Sequence, residues 1–243
     1  MHVIAVQGIR GGCGTTSVAA GLAASLATLQ KHVLLIDLCP SNLLGLHFGL
    51  SVTEDAGWAQ ALAEGYPWQS TAFLYKEHIW LLPFGRPTSL SHLHELAADW
   101  LPTSLRALAM PDDTYVIFDV PQHSSFREAL GQITDLQWIQ IVQADPACHA
   151  LINQQSLVGQ LNTPNRFWLV NRYQPAYKLS RDLIQLWRLV LGKTLISTII
   201  HEDEAVREAL ALKRPLADSA PASLASHNFL SLATWSVAQA GAT

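Results

Sequence analysis

Charged side chains are scarce in this 243-residue sequence. Asp, Glu, Lys and Arg make up 14% of it against 49% apolar residues, a composition that buries well and leaves room for an apolar partner-binding face. An excess of basic residues is also missing. The formal net charge is −4, so no global footprint for nucleic acid exists and no nucleic-acid partner is expected. Cysteine is sparse: Cys13, Cys39 and Cys148 supply neither a disulfide framework nor a CxxC metal pair, a usage that suits a reducing cytoplasm. No uninterrupted run of about 18 apolar residues occurs, so no transmembrane helix is expected. The N-terminus is a short apolar segment rather than a charged n-region with a cleavage site. None of the ten histidines falls in an H-E-x-x-H or similar spacing, which argues against a histidine-held metal site.

What is present is alternation. Apolar β-type runs recur near 2–7, 33–37, 78–82, 115–120, 137–143, 166–171 and 194–200. Helical patterns lie near 15–30, 55–64, 89–109, 125–131, 147–160, 178–192, 202–213 and 222–240. Continuously apolar runs such as Val33-Leu34-Leu35-Ile36 and Tyr115-Val116-Ile117-Phe118 suit strands covered on both faces of a parallel sheet. The expected fold is α/β, a doubly wound and mostly parallel sheet flanked by helices. It is expected to form one nucleotide-binding domain over 1–243, with 39–57 irregular. The final helix, Ala222 to Ala240, is apolar with almost no basic residues, so it is expected to pack on the sheet rather than lie on a membrane. Of eight tryptophans, most are expected in packing, while Trp58 and Trp68 flank a short irregular region and are weighed as partner-facing.

One segment carries chemistry. Gly8-Ile9-Arg10-Gly11-Gly12-Cys13-Gly14-Thr15-Thr16-Ser17 lies between an apolar strand and a helical pattern, the context in which backbone N–H groups cradle a polyphosphate. A loop of this kind ordinarily ends Gly-Lys-Ser/Thr; here the lysine is Thr15. Gly11, Gly12 and Gly14 permit the tight turn, and Thr16 falls where a hydroxyl would coordinate Mg²⁺. Asp37 and Asp119 end apolar strands, and either carboxylate could hold a metal-bound water; the blander reading is a glycine turn with two helix-capping aspartates. Asn171 also sits at a strand end, and open α/β sheets bind ligands at the carboxyl ends of their strands. Cys13 and Cys39 both fall at the phosphate end, where a redox pair is weighed against a small buried residue and a replaced aspartate.

These residues resemble a known family. Arg10-Gly-Gly-Cys-Gly-Thr-Thr-Ser17 is similar to the deviant Walker A motif, Lys-Gly-Gly-x-Gly-Lys-Thr-Thr, of the MinD/ParA ATPases. Val33-Leu-Leu-Ile-Asp37-Leu-Cys-Pro40 resembles their switch I motif, and Tyr115-Val-Ile-Phe-Asp119-Val-Pro121 their Walker B and switch II segment. Leu169-Val-Asn171-Arg-Tyr-Gln-Pro175 resembles the strand and loop that hold the adenine. Within that superfamily the nearer likeness is to accessory proteins of bacterial cellulose synthesis. It is carried by Cys39-Pro40-Ser-Asn42-Leu43-Leu44, Gly57-Trp58-Ala59, Leu81-Leu-Pro-Phe-Gly85, Gln185-Leu-Trp187 and Ile200-His201-Glu-Asp203-Glu204-Ala205.

The resemblance implies ATP and Mg²⁺ as cofactors. It assigns nucleotide contact to Arg10, Gly11, Gly12, Cys13, Gly14, Thr15, Thr16, Ser17, Asn171, Arg172 and Pro175, and metal contact to Thr16, Asp37 and Asp119. It places Asp37, Cys39 and Asp119 at catalytic and switch positions. It further implies a homodimer that sandwiches ATP, a small companion subunit, other components of the cellulose synthase complex, and indirect recruitment from the cytoplasm to the inner face of the inner membrane. Three departures from the hydrolysing pattern stand out. Thr15 replaces the loop lysine, Arg10 replaces the signature lysine that reaches a partner's nucleotide, and Cys39 replaces the water-positioning aspartate. Losing an oriented base typically costs about 10²–10⁴-fold in rate, so slow or absent hydrolysis is expected. The competing expectations are an active positioning or partitioning ATPase and an interaction module with no nucleotide.

Overall fold

The computed structural model describes residues 1–88, 100–105, 110–124, 126–159, 161 and 163–241. Its strands are β1 (His2–Gly8), β2 (Val33–Asp37), β3 (Phe73–Tyr75), β4 (Ile79–Leu82), β5 (Tyr115–Val120), β6 (Gln137–Val142), β7 (Arg166–Tyr173) and β8 (Leu195–His201). They form one eight-stranded sheet in the order β3-β4-β2-β5-β1-β6-β7-β8. Every neighbouring pair is parallel except β3–β4.

The apolar runs become central strands because both sheet faces are covered. Successive side chains point to opposite faces, and the two cores divide accordingly. Ile4, Val6, Val33 and Leu35 belong to one core, and Val3, Ala5, Leu34 and Ile36 to the other. Each expected run is found as a strand. β3, which was not expected, is a three-residue antiparallel edge joined to β4 by a turn in which Lys76 takes a φ of 55°.

The helices are α1 (Thr15–Thr28), α2 (Trp58–Glu64), α3 (Arg127–Gly131), α4 (Pro146–Leu157), α5 (Lys178–Leu191), α6 (Glu204–Ala211), α7 (Leu216–Ser219) and α8 (Leu224–Ala240). The helix expected over 89–109 lies largely outside the described residues; within it, 100–105 are helical. Local capping sets several starts. The Asp145 side chain accepts from Cys148 N with Pro146 at the first turn of α4, Asp203 accepts from Ala205 N, and Ser223 accepts from Ser226 N.

The final helix packs inside the fold, as its composition suggests. Phe229 of α8 lies against Gly21 of α1, where an added Cβ would come within 2.8 Å of the ring. Trp58 takes the packing reading rather than the partner-facing one. It is fully buried, its indole N–H donates to Asp37 O at 2.7 Å, and its ring stacks on Trp100 with centroids 4.5 Å apart. Trp68 meets Trp100 edge-on. Both indoles serve packing below the second strand end.

Candidate functional site

β1 lies between β5 and β6, with β2 beyond β5 and β7 beyond β6. The carboxyl ends of these five strands therefore surround the glycine loop, Gly8 to Gly14. Gly12 and Gly14 have φ of +79° and +84°, a left-handed conformation that side-chain-bearing residues rarely adopt. Gly14 has a second constraint, because a Cβ there would sit 2.7 Å from Asn171 Nδ2. Gly14 is the N-cap of α1 and has no side chain with which to cap it, so no N-cap side chain occupies the first amides of the helix. A cavity of about 310 Å³ opens there, lined among others by Gly11, Gly12, Gly14, Thr15, Thr16, Ser17, Cys39, Asp119 and Arg172. A smaller one of about 100 Å³ adjoins it, lined by Gly14, Ser17, Asn171, Arg172, Glu202 and Asp203 among others.

Asp37 and Asp119 meet below the first cavity. They are in register on β2 and β5, 0% and 2% exposed. Desolvation pushes Asp119 up to about 6, tempered by a hydrogen bond from the Thr16 side chain. Desolvation, and then the neighbouring Asp119, raise Asp37 well above the ordinary carboxylate range, against amide bonds from Cys39 and Leu44. Those amides donate to the two Asp37 oxygens at 2.8 and 3.2 Å. Asp119 Oδ2 is buried and has no hydrogen-bond partner in the structure. A buried unpartnered carboxylate oxygen beside a threonine hydroxyl fits a hard divalent cation and its water shell. The donor set therefore fits Mg²⁺, with Thr16, Asp37 and Asp119 as the residues that would hold it.

Arg10 lines the same cavity, and its guanidinium is engaged by neighbours beside the loop. Its Nη2 meets Asp145 Oδ2 at 2.5 Å and Gln143 Oε1 at 2.8 Å, and Gln143 Nε2 also donates to Gly12 O at 3.2 Å. The hydrogen bond to Asp145 raises the Arg10 guanidinium above its ordinary value. Burial pushes Asp145 up, but the Cys148 amide and Arg10 outweigh it and the carboxyl titrates below its usual range. Gln122 Oε1 accepts from Gly11 N at 2.7 Å. Gln122, Gln143 and Asp145 were absent from the sequence reading. They are more than 100 residues from the loop, and only the β1–β5 and β1–β6 pairings bring them beside it.

The remaining residues separate. Asn171 is 5% exposed and donates from Nδ2 to Cys13 O at 2.8 Å, so one amide proton supports the loop itself. Arg172 Nη1 donates to Gly12 O at 3.3 Å. Pro175 lines neither cavity; its carbonyl accepts from Arg181 at 2.6 Å. Cys13 is buried under the loop, and its sulfur partner is the Cys148 thiol rather than Cys39. That hydrogen bond lowers Cys13 to about 7 and raises Cys148. Cys39 pairs instead with Ser41 Oγ at 3.0 Å, and burial raises its thiol. This arrangement favours the small buried residue and the replaced aspartate over a Cys13–Cys39 pair: β2 and β1 are separated by β5, whereas α4 begins beside the loop.

Comparisons with known proteins bear on the family and the fold. The family described as "Cellulose biosynthesis protein BcsQ" matches residues 1–237. The cellulose biosynthesis protein BcsQ of Escherichia coli K12 is 33% identical over 242 residues, 97% of this chain and 94% of that protein. Its counterpart in Salmonella typhi is 34% identical over 243 residues, again covering 97% and 94%. Among solved structures, the septum site-determining protein MinD of Pyrococcus horikoshii, complexed with Mg-ADP, superposes with a TM-score of 0.74 at 19% identity. It covers 96% of this chain and 94% of that one, a likeness of fold.

Proposed function

The chain belongs to the BcsQ family of cellulose biosynthesis proteins, built on the MinD/ParA P-loop fold, and from that premise we propose that it binds ATP with Mg²⁺ and hydrolyses it slowly or not at all. In this reading ATP holds two copies together in a nucleotide-sandwich dimer. The dimer supports assembly, localisation or regulation of the cellulose synthase secretion complex, with a small companion subunit and further components of that complex as partners. None of the described helices is long and apolar enough to cross a membrane, so recruitment to the inner face of the inner membrane runs through those partners. That the P. horikoshii MinD structure holds Mg-ADP supports the cofactor pair.

One observation carries the reading. The positive-φ glycine loop sits above an in-register pair of buried carboxylates, one oxygen of which has no partner. Loop amides and the α1 N-terminus bind phosphate oxygens. Mg²⁺, held by Thr16, Asp37 and Asp119, would neutralise phosphate charge when bound. What the chain lacks is the machinery for water. Thr15 brings no cation to the developing charge. Cys39, with its thiol raised and its sulfur engaged by Ser41, is neutral at pH 7 and a poor acceptor for an attacking water. The alternative, an active ParA/MinD-type positioning or partitioning ATPase, needs both groups.

The test is threefold on one preparation: nucleotide released on denaturation, mass in solution with and without Mg-ATP, and turnover. The expected result is ATP retained at about one per chain, a dimer that depends on it, and negligible phosphate release. Robust hydrolysis abolished by Asp119→Asn would sink the non-hydrolysing reading, and a monomer empty of nucleotide would sink the sandwich.

A further inference from the structure

Thr15 removes the loop's own cation from the phosphate cavity, and Arg10, which lines that cavity, has its Nη2 engaged by Asp145 and Gln143. Arg172 also lines that cavity. It follows Asn171 at the carboxyl end of β7 and lines both the phosphate-loop cavity and the smaller one beside it. Its guanidinium lies over the loop. Nη1 is 3.3 Å from Gly12 O, and a Cβ at Gly14 would be 3.8 Å from Nε and 4.0 Å from Nη2.

The φ of Arg172 is +52°, a left-handed conformation that Lys76 and Lys213 also adopt. No carboxylate among the described residues forms an ion pair with Arg172, whereas Arg10 is paired with Asp145. Of its five donor N–H groups one is used, on Gly12 O. A planar fork of free donors with an unneutralised charge, held at the junction of the two cavities, matches phosphate oxygens.

We infer that Arg172 supplies the phosphate chain, from within the same chain, with the cationic contact that Thr15 cannot make. This rests on the nucleotide-binding reading of the site. It assigns Arg172 to the phosphates rather than to the adenine, and it makes the charge independent of a second copy.

The test is titration with Mg-ATP and displacement of a fluorescent ATP analogue by inorganic tripolyphosphate. The chains compared are wild type, Arg172→Gln, Arg172→Lys, and Arg172→Gln combined with Thr15→Lys. Thermal unfolding of each confirms the fold, and Arg172→Lys retains charge where Arg172→Gln does not. Arg172→Gln should weaken both ligands by about 10-fold or more, the range of a charge-assisted hydrogen bond. Arg172→Lys should recover most of the loss, and Thr15→Lys should restore binding by returning a cation from the loop. A loss confined to ATP, with tripolyphosphate unaffected, would place Arg172 on the base or ribose and overturn the inference. So would an undiminished Arg172→Gln, or a wild type from which tripolyphosphate displaces nothing. A wild type that binds no ATP would overturn the nucleotide reading itself.

Discussion

Asp37 and Asp119 lie side by side on adjacent parallel strands, in register and both buried. Desolvation holds both above the ordinary carboxylate range, and the neighbouring Asp119 raises Asp37 further. Such a pair destabilises the empty protein and becomes favourable when a divalent cation arrives. Asp119→Asn should therefore raise the stability of the nucleotide-free chain at neutral pH by about 1–3 kcal/mol while removing Mg²⁺-dependent ATP binding. Denaturant unfolding paired with nucleotide titration reads both effects. A variant that loses stability and binding together would mean that the carboxylate is structural.

His47 gives a pH prediction with the opposite chemistry. It sits in the short turn Leu44–Phe48, is 6% exposed, and burial alone lowers it to about 4. In the unfolded chain it titrates near 6.5. The folded value is the lower one, so the unfolded state binds more protons between the two. Stability is then full above about pH 6.5 and is lost as pH falls toward 4. The span corresponds to about 3 kcal/mol. His47→Gln should flatten that decline relative to wild type, measured by denaturant unfolding at pH 7.5, 6, 5 and 4.5. Parallel curves for the two proteins would refute the assignment.

Arg10 and Asp145 form a half-exposed contact, with side chains 30% and 29% accessible, so the pair contributes about 1 kcal/mol or less to stability. Its consequence is positional: while Asp145 holds Arg10, the guanidinium is unavailable to a second copy. Asp145→Asn keeps an oxygen to cap α4 and removes the charge that holds Arg10. The expected outcome is an unfolding midpoint within a few degrees of wild type and tighter ATP-dependent dimerisation, by roughly 3- to 10-fold in the dimer dissociation constant. Sedimentation across a concentration series measures it, and unchanged self-association would show that Arg10 plays no part across the interface.

The sheet was legible because its central strands are buried on both faces and therefore read as unbroken apolar runs; Val33–Ile36 and Tyr115–Phe118 could be little else. The edge was not, because β3 is three residues long with Leu74 exposed, too short to show a period. The loop and both aspartates were legible because each is local to a strand end. Gln122, Gln143 and Asp145 were not, since nothing in Pro121-Gln122 or Gln143-Ala-Asp145 signals a neighbour more than 100 positions away. Only parallel pairing with β1 sets them against it. Trp58 stayed open between packing and a partner because an irregular flank reads as surface, whereas its indole N–H donates to Asp37 O in the core.

The slow or absent hydrolysis proposed here, attributed to Thr15 and Cys39, should be reversible at those two positions. Thr15 heads α1 and lines the phosphate cavity, so a lysine there can bring its ammonium toward the phosphates. Cys39 lines the same cavity, and its amide already donates to Asp37 Oδ1, so a carboxylate at 39 is added beside two others. Without Mg²⁺ that third charge destabilises the fold, and Cys39→Asp should unfold at lower temperature than wild type until Mg-ATP is supplied. Thr15→Lys alone should tighten ATP with little turnover. The double variant should release phosphate at least about 10²-fold faster than wild type, the lower end of what an oriented base contributes. Phosphate release under single-turnover conditions, with Asp119→Asn in the same background as the dead control, distinguishes chemistry from contamination. A double variant that binds Mg-ATP and stays silent would locate the block elsewhere, in the way Asp145 and Gln143 restrain Arg10.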